Sequence, residues 1–193
     1  MNLVRSIGVT VALLALSALP ALAQPQAVSA GVEVGVNESR ISPDLSGQSI
    51  SRAPGVFIGG YVLIPAFPVV GIQIEGVYSQ KKTHLSSAQD LVLEYFEVPV
   101  LAKLPLFKGL YILHGVAFDF PVSAHLEPTG GAQTDIKSQV TNPDVGLVIA
   151  VAYPIERVHV EGRYEGGFRN VSSTAGAPTQ RSRTVTFLAR FPL

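Results

Sequence analysis

Read with a period of two, Tyr95-Phe96-Glu97-Val98-Pro99-Val100-Leu101-Ala102-Lys103-Leu104 separates into two faces: Phe96, Val98, Val100, Ala102 and Leu104 on one, Glu97 and Lys103 on the other. Successive side chains of a strand point to opposite sides. A strand with one wholly apolar face and one sparsely charged face therefore lies between an apolar medium and something polar. The rest of the chain must say which face looks outward.

Met1 to Ala23 carries Arg5, an apolar run from Val9 to Leu19, and Ala21-Leu22-Ala23 ahead of Gln24, the layout of a secretory signal peptide. The run falls short of the ~20 residues of a spanning helix. We divide the chain into a leader, 1–23, and one domain, 24–193, with no composition break inside it. Fourteen basic and fourteen acidic residues leave a near-neutral chain that lacks the basic stripe of a nucleic-acid binder. The absence of cysteine excludes a disulfide scaffold and thiolate-bound metal. Charged residues make up 15% of the chain, against a usual ~25%, yet no segment after the leader resembles an apolar spanning helix. That combination is expected of a transmembrane β-barrel, whose strands each give half their residues to lipid.

Val, Ile, Tyr and Phe fill the intervals between frequent Gly and Pro, which favours strands. Eight are expected, near 28–37, 55–64, 69–80, 91–104, 110–120, 144–153, 158–168 and 183–193. Three connections are short, through Pro65-Ala66-Phe67-Pro68, Pro105 to Gly109, and Pro154. The others, near 38–54, 81–90, 121–143 and 169–182, are longer and polar. Short turns at one end and long loops at the other mark an outer-membrane barrel, with turns and both termini periplasmic and loops extracellular. The expected fold is all-β: an eight-stranded antiparallel up-and-down transmembrane β-barrel.

The alternation assigns faces. His159, Glu161, Arg163 and Glu165 oppose Val158, Val160, Gly162 and Tyr164; Gln73 and Glu75 oppose Val70, Ile72 and Ile74; Asp144, Gly146, Val148, Ala150 and Ala152 oppose Val145, Leu147, Ile149, Val151 and Tyr153. An eight-stranded barrel has room inside for little more than side chains, so the small and charged face turns inward and the bulky face toward lipid. The expected lumen charge network is Glu33, Glu75, Glu97, Lys103, Asp119, Glu161, Arg163, Glu165 and Arg190, cross-paired between strands because buried charges need partners. Six acids against three bases also admit a narrow cation-preferring channel. Tyr61, Tyr78, Phe107, Tyr111, Tyr153 and Phe168 lie toward strand ends, where interfacial girdles form. Pro99 removes a ladder donor inside a closed sheet, so a bulge or a missing bond is expected there. Simple alternation puts His114 on the lipid face.

In the last strand Val185, Phe187, Ala189, Phe191 and Leu193 alternate with Thr184, Thr186, Leu188 and Arg190. Phe187, Phe191 and Leu193 resemble the C-terminal signal read by the barrel-assembly machinery, although that signal usually closes on an aromatic residue. Tyr95-Phe96-Glu97-Val98-Pro99 with Lys103-Leu104-Pro105, and Glu161-Gly162-Arg163-Tyr164-Glu165-Gly166-Gly167-Phe168-Arg169-Asn170-Val171, resemble the PorT-like outer-membrane β-barrel family. The resemblance implies an eight-stranded barrel in the outer membrane of a Gram-negative bacterium and transfers no substrate.

Other chemistry is weakly signalled. His84, His114, His125 and His159 share no ligand spacing, so neither metal nor cofactor is expected. Ser123 and His125, with Asp119 before them, suggest hydrolysis but converge on no third partner, and no enzyme is expected. Asn37-Glu38-Ser39 and Asn170-Val171-Ser172 are taken as accidental sequons. The leading expectation is a barrel in contact with outer-membrane lipid, in a structural, surface-interaction or secretion-associated role. Loops 121–143 and 169–182 would meet an extracellular or secretion-system partner. A secreted lipocalin-like ligand-binding barrel is the remaining alternative, and it would need a far more charged exterior.

Overall fold

The computed structural model describes residues 27–42, 51–174 and 180–193. The leader and the centres of two expected loops, 43–50 and 175–179, lie outside that set. Nine strands form one antiparallel sheet: β1 (Ser29–Ser42), β2 (Ser51–Phe67), β3 (Val70–Ser86), β4 (Gln89–Pro105), β5 (Tyr111–Pro128), β6 (Thr134–Asp135), β7 (Asp144–Ile155), β8 (Val158–Gly167) and β9 (Arg181–Pro192). The two-residue β6 merely borders β5 at His125 and Leu126. The eight long strands run in the ring order β4-β3-β2-β1-β9-β8-β7-β5, and β5 pairs back to β4. Such closure leaves no exposed edge to seed aggregation. β1 and β9 seal the ring from Gly31↔Pro192 to Ser42↔Arg181, and the Leu193 N–H donates to the Ala30 carbonyl at 2.9 Å.

The start of β1, the end of β9 and the short connections 68–69, 106–110 and 156–157 share one end of the barrel, called here the turn end. The opposite, loop end extends further than alternation of apolar residues suggests. β3 continues to Ser86 and β4 begins at Gln89, so the loop expected at 81–90 is a hairpin turning through Ser87 and Ala88. β5 likewise runs to Pro128, well into the segment expected to be loop. Gln80, Lys82 and His84 on the outer face made this region read as loop, but Lys81 and Thr83 keep the inward alternation. A wall that rises past the lipid layer can be polar outside without ceasing to be sheet.

The outer wall is apolar. Val32, Val34, Val36, Ile58, Ile149 and Phe187 are all exposed, and Phe96 with its alternate neighbours faces the same way. This overturns the lipocalin alternative, which needs a water-compatible exterior. Tyr78 and Tyr153 stand on the outer face, and Phe107 and Phe168 are exposed at strand ends. Tyr61 does not join a girdle: it is 6% exposed and points inward. Tyr111 is also half-buried, packed on an internal cluster of Leu101, Leu113, Ala117, Val148, Ala150 and Ala152. The interior is thus bulkier than the small-residue expectation, because it tapers around large aliphatics as well as charges.

Pro99 causes no bulge. Between Ile74↔Val100 and Val77↔Glu97 the β3–β4 register is unchanged, but no ladder pair joins residues 75–76 to 98–99. A locally missing bond is what a proline without an N–H produces. The irregularity falls instead between Glu94 and Tyr95 on the β4–β5 side, where Glu94 pairs with Ser123 and Tyr95 with Pro121. His114 remains on the lipid face, between Ala102 and Ile149.

Two strands approach unusually closely at Gly115. A Cβ there would stand 2.0 Å from the Val100 carbonyl oxygen and 2.9 Å from the Leu101 Cα, both backbone atoms that cannot yield. Gly115→Val is expected to lower unfolding stability by about 3 kcal/mol or more, the upper range for overpacking. The midpoint of heat-modifiable gel migration in denaturant would measure it.

Candidate functional site

Among the described residues, eleven charged side chains turn into the lumen and are buried. They include all nine charges expected there, joined by Lys81 and Asp144. Seven are acids and four are bases. Lys81 escaped the sequence reading because it lay in a stretch taken as loop. The signal was present as an uninterrupted inward series, Val77, Ser79, Lys81, Thr83.

The charges segregate into two layers. Nearer the turn end, Arg163 of β8 donates through Nη1 and Nη2 to Oε2 and Oε1 of Glu75 of β3 at 2.8 and 2.7 Å. β3 and β8 are four steps apart in the ring of eight, so this bidentate pair crosses the full diameter. Arg163 Nε also donates to Glu161 at 2.9 Å. Arg190 donates to Glu33 at 2.8 Å, to Glu75 at 2.7 Å, and to Glu161. Gln73 completes the Glu75 shell at 2.6 Å. The planar five-donor guanidinium is suited to several carboxylates at once, which an ammonium is not.

Nearer the loop end a single cation serves three acids. Lys81 Nζ lies 2.8 Å from Glu97, 2.8 Å from Asp119 and 2.7 Å from Glu165. These three carboxylates are close enough together to hold a metal ion, but the Lys81 ammonium sits where such an ion would. Lys81 to Glu165 again joins β3 to β8 across the ring. Register explains the crowding of acids, since Glu97↔Asp119 and Asp119↔Asp144 are directly opposite on neighbouring strands.

Each lumen cation also rests on an inward aromatic ring. Arg163 lies over Phe57 at 5.4 Å, Arg190 over Tyr61 at 5.5 Å, Lys81 over Tyr95 at 5.1 Å and Lys103 over Tyr111 at 4.4 Å from the ring centres. Such stacking is favourable where the cation is desolvated. It also explains why Tyr61 and Tyr111 turn inward.

Above the charged layers the interior becomes apolar, which the sequence reading did not anticipate. Ile41, Leu91, Leu93, Tyr95 and Ala124 form a plug with Val140 and Val171 from the two long loops. The loops are fastened over it: Val140 bridges to Ser172, Thr141 N–H donates to Val171 O at 2.9 Å, and Ser173 N–H to Gln139 O at 2.8 Å. Asn37 of the first sequon is buried and donates to Ser79 Oγ at 3.1 Å, so it is inaccessible to a modifying enzyme. Asn170 of the second accepts from the Gln180 N–H at 2.9 Å.

On the outside of the same end lies a polar cluster on β3, β4 and β5. Ser123 Oγ is 3.4 Å from His125 Nδ1, and His125 Nε2 is 3.3 Å from Glu127. Glu127 thus supplies a third partner that the sequence reading did not find. Both contacts are longer than the 2.6–3.2 Å of a working nucleophile and base. Glu127 is moreover held by Lys82 at 3.1 Å and Gln133 at 2.8 Å, while Asp119 points into the barrel. Lys82 also meets Asp90 at 3.0 Å, and Asp90 meets His84 at 2.5 Å. The cluster is a set of compensated charges standing beyond the apolar band.

The Lys82 hydrogen bond holds the Glu127 carboxyl below its ordinary 4.5, burial opposing weakly. A depressed carboxylate adds stability above its ordinary pKa and loses it as pH falls through the lowered folded value. Amide protection in 80–90 and 123–128, measured against the intrinsic exchange rate at each pH, is therefore expected to hold at pH 5 and to fall below the ordinary 4.5 of Glu127. Deeper in the barrel, Lys81→Met leaves three acids facing one another and is expected to cost about 3–5 kcal/mol. Adding Glu97→Gln, Asp119→Asn and Glu165→Gln to Lys81→Met should restore most of that stability, both changes being read as the midpoint of heat-modifiable gel migration in denaturant.

The family model described as "Outer membrane protein beta-barrel domain" matches residues 22–173. Among solved structures, Neisserial surface protein A is similar with a TM-score of 0.56 at 13% identity, over 86% of this chain and 99% of that one. Ail, the attachment invasion locus protein of Yersinia pestis, gives a TM-score of 0.48 at 13% identity, over 87% of this chain and 100% of that one. No curated protein matches by sequence. At such identity the likeness concerns the fold.

Proposed function

This chain belongs to the outer membrane protein beta-barrel domain family, and from that premise we propose that it is a closed, non-catalytic barrel that acts through its loop end at the cell surface. The observation that carries this reading is obstruction of the lumen at three levels. Arg163–Glu75 and Lys81–Glu165 join opposite walls, and the apolar plug under the fastened loops fills the mouth. With chemistry and conduction both unsupported by such an interior, the segments 129–143 and 168–174 remain as a folded, hydrogen-bonded surface for an extracellular or secretion-associated protein.

Short turns together with the start of β1 and the end of β9 at one end support a periplasmic turn end. Phe187 and Phe191, exposed on the outer face of the last strand, and Leu193, exposed just past its end, support its recognition during assembly. The finer placement among PorT-like barrels rests on the Tyr95–Pro99 and Glu161–Val171 segments. One observation favours a second reading, a cation-preferring channel: seven lumen acids exceed four bases.

Planar-bilayer recording separates the two. The wild-type protein is expected to insert without conductance steps, whereas Arg163→Ala with Glu75→Ala, which removes the diametric bridge, should raise leak. Stepwise cation-selective current through the wild type would replace the surface reading with the channel. Identical gel migration before and after boiling, together with a soluble periplasmic fraction, would overturn both.

A further inference from the structure

Three of the four lumen cations are saturated with carboxylates. Lys81 meets Glu97, Asp119 and Glu165; Arg163 meets Glu75 and Glu161; Arg190 meets Glu33, Glu75 and Glu161. Lys103 is the exception. It is 9% exposed, yet among the described residues no carboxylate lies within ion-pairing distance of its ammonium and no acceptor within hydrogen-bonding distance. Its contact is the Tyr111 ring, whose centre is 4.4 Å from Nζ. A ring face attracts the charge but leaves the three N–H donors of an ammonium without true acceptors.

The neighbouring acids are already committed. Glu161 is the carboxylate whose field reaches Lys103, but its Oε1 accepts from Arg163 and its Oε2 from Arg190. Glu33 gives Oε2 to Arg190, and its partnerless Oε1 lies out of the lysine's reach.

Topology gathers a further donor at the same rim. Lys103 stands two residues before the turn end of β4, Tyr111 opens β5, and His159 is the second residue of β8. β4, β5, β7 and β8 are consecutive in the ring. The β7 residue between Tyr111 and Glu161 is Ala152, which contributes only a methyl group. His159 is half-buried opposite the inward Arg190, and its ring carries an N–H in either tautomer. The charges that act on it are Lys103 and Arg190, both positive. The turn-end mouth is thus an arc of donors in a positive field, opposite in character to the acid-rich layer around Lys81. A buried cation without a counter-charge destabilises the fold. Tyr111 and His159 are only half-buried, so an anion can approach the ammonium from the turn end. Oxyanions suit such an arc because their oxygens accept several charge-assisted bonds at once.

We propose that Lys103 and His159, with the Tyr111 ring against the ammonium, form a binding site for a small soluble oxyanion, a phosphate or carboxylate, that enters the lumen from the turn end. The site lies at the opposite end from the surface described above and goes beyond that reading, since it needs only the closed barrel.

The test uses the protein refolded in dodecyl maltoside micelles, which carry no anion, and reads the thermal midpoint of heat-modifiable gel migration as anion is added. Phosphate, and at higher concentration acetate, is expected to raise the midpoint, because a ligand bound only to the folded state stabilises it. Chloride at matched ionic strength is not. Lys103→Gln should weaken the apparent phosphate affinity roughly tenfold or more and His159→Leu roughly threefold, since charge-assisted donors are removed. Lys108→Gln, an equal charge change on the exposed 106–110 turn, should leave it unaltered. Without oxyanion, Lys103→Gln is expected to be at least as stable as the wild type, the reverse of Lys81→Met. Phosphatidylglycerol added to the micelles in place of phosphate tests a lipid headgroup as the source and is expected to have no effect. No response to either oxyanion, an equal response in Lys103→Gln or to chloride, or a response to phosphatidylglycerol alone would overturn the proposal. Failure of the protein to fold in the micelles before any anion is added would instead overturn the barrel reading on which it rests.

Discussion

The carboxylate of Glu75 holds the turn-end half of this barrel together. It receives Arg163 from the opposite wall, Arg190 from β9 and Gln73 from its own strand. A buried charge is tolerable when several donors share it and ruinous when one is withdrawn. The positions of the two arginines are thus interdependent, and through them so are Glu33 and Glu161. Backbone pairing closes the ring, but these side chains fix which interior residues meet and make the ring a filled rod.

The same requirement explains the vertical order of the interior. Guanidiniums, with several donors each, occupy the layer where the acids lie on widely separated strands. A lysine, with one compact charge, suffices where Glu97 and Asp119 are brought together by register. Above that layer the two long loops supply Val140 and Val171, so burial of apolar surface takes over from ion pairing. The outer wall changes at nearly the same height, from Tyr78 and Phe96 to Gln80 and Glu94. Inside and outside therefore change character in opposite directions, as expected of a sheet that leaves lipid and continues into a loop-capped rim.

Much of this was legible in the residues. Alternation around Glu97, Arg163 and Arg190 placed those charges inside, and the missing donor of Pro99 was visible as a gap in the ladder before its neighbours were known. Lys81 was not legible, because Gln80, Lys82 and His84 beside it have the composition of a loop. Tyr61 and Tyr111 were misplaced in a girdle, because an aromatic near a strand end does not declare that an arginine or lysine waits inside to stack on it. The Glu127 contact to His125 was missed for a similar reason, since its significance depends on Lys82 from a different strand.

The sequence by itself determined the class of fold and the two faces of each strand, since both follow from local alternation, turn chemistry and the scarcity of charge. Only the tertiary structure decided which charges are partners. Arg163 and Glu75 lie 88 residues apart, and Lys81 and Glu165 lie 84 apart. Their meeting depends on how the ring closes and on the stagger of its strands, properties of the whole sheet that no single strand contains.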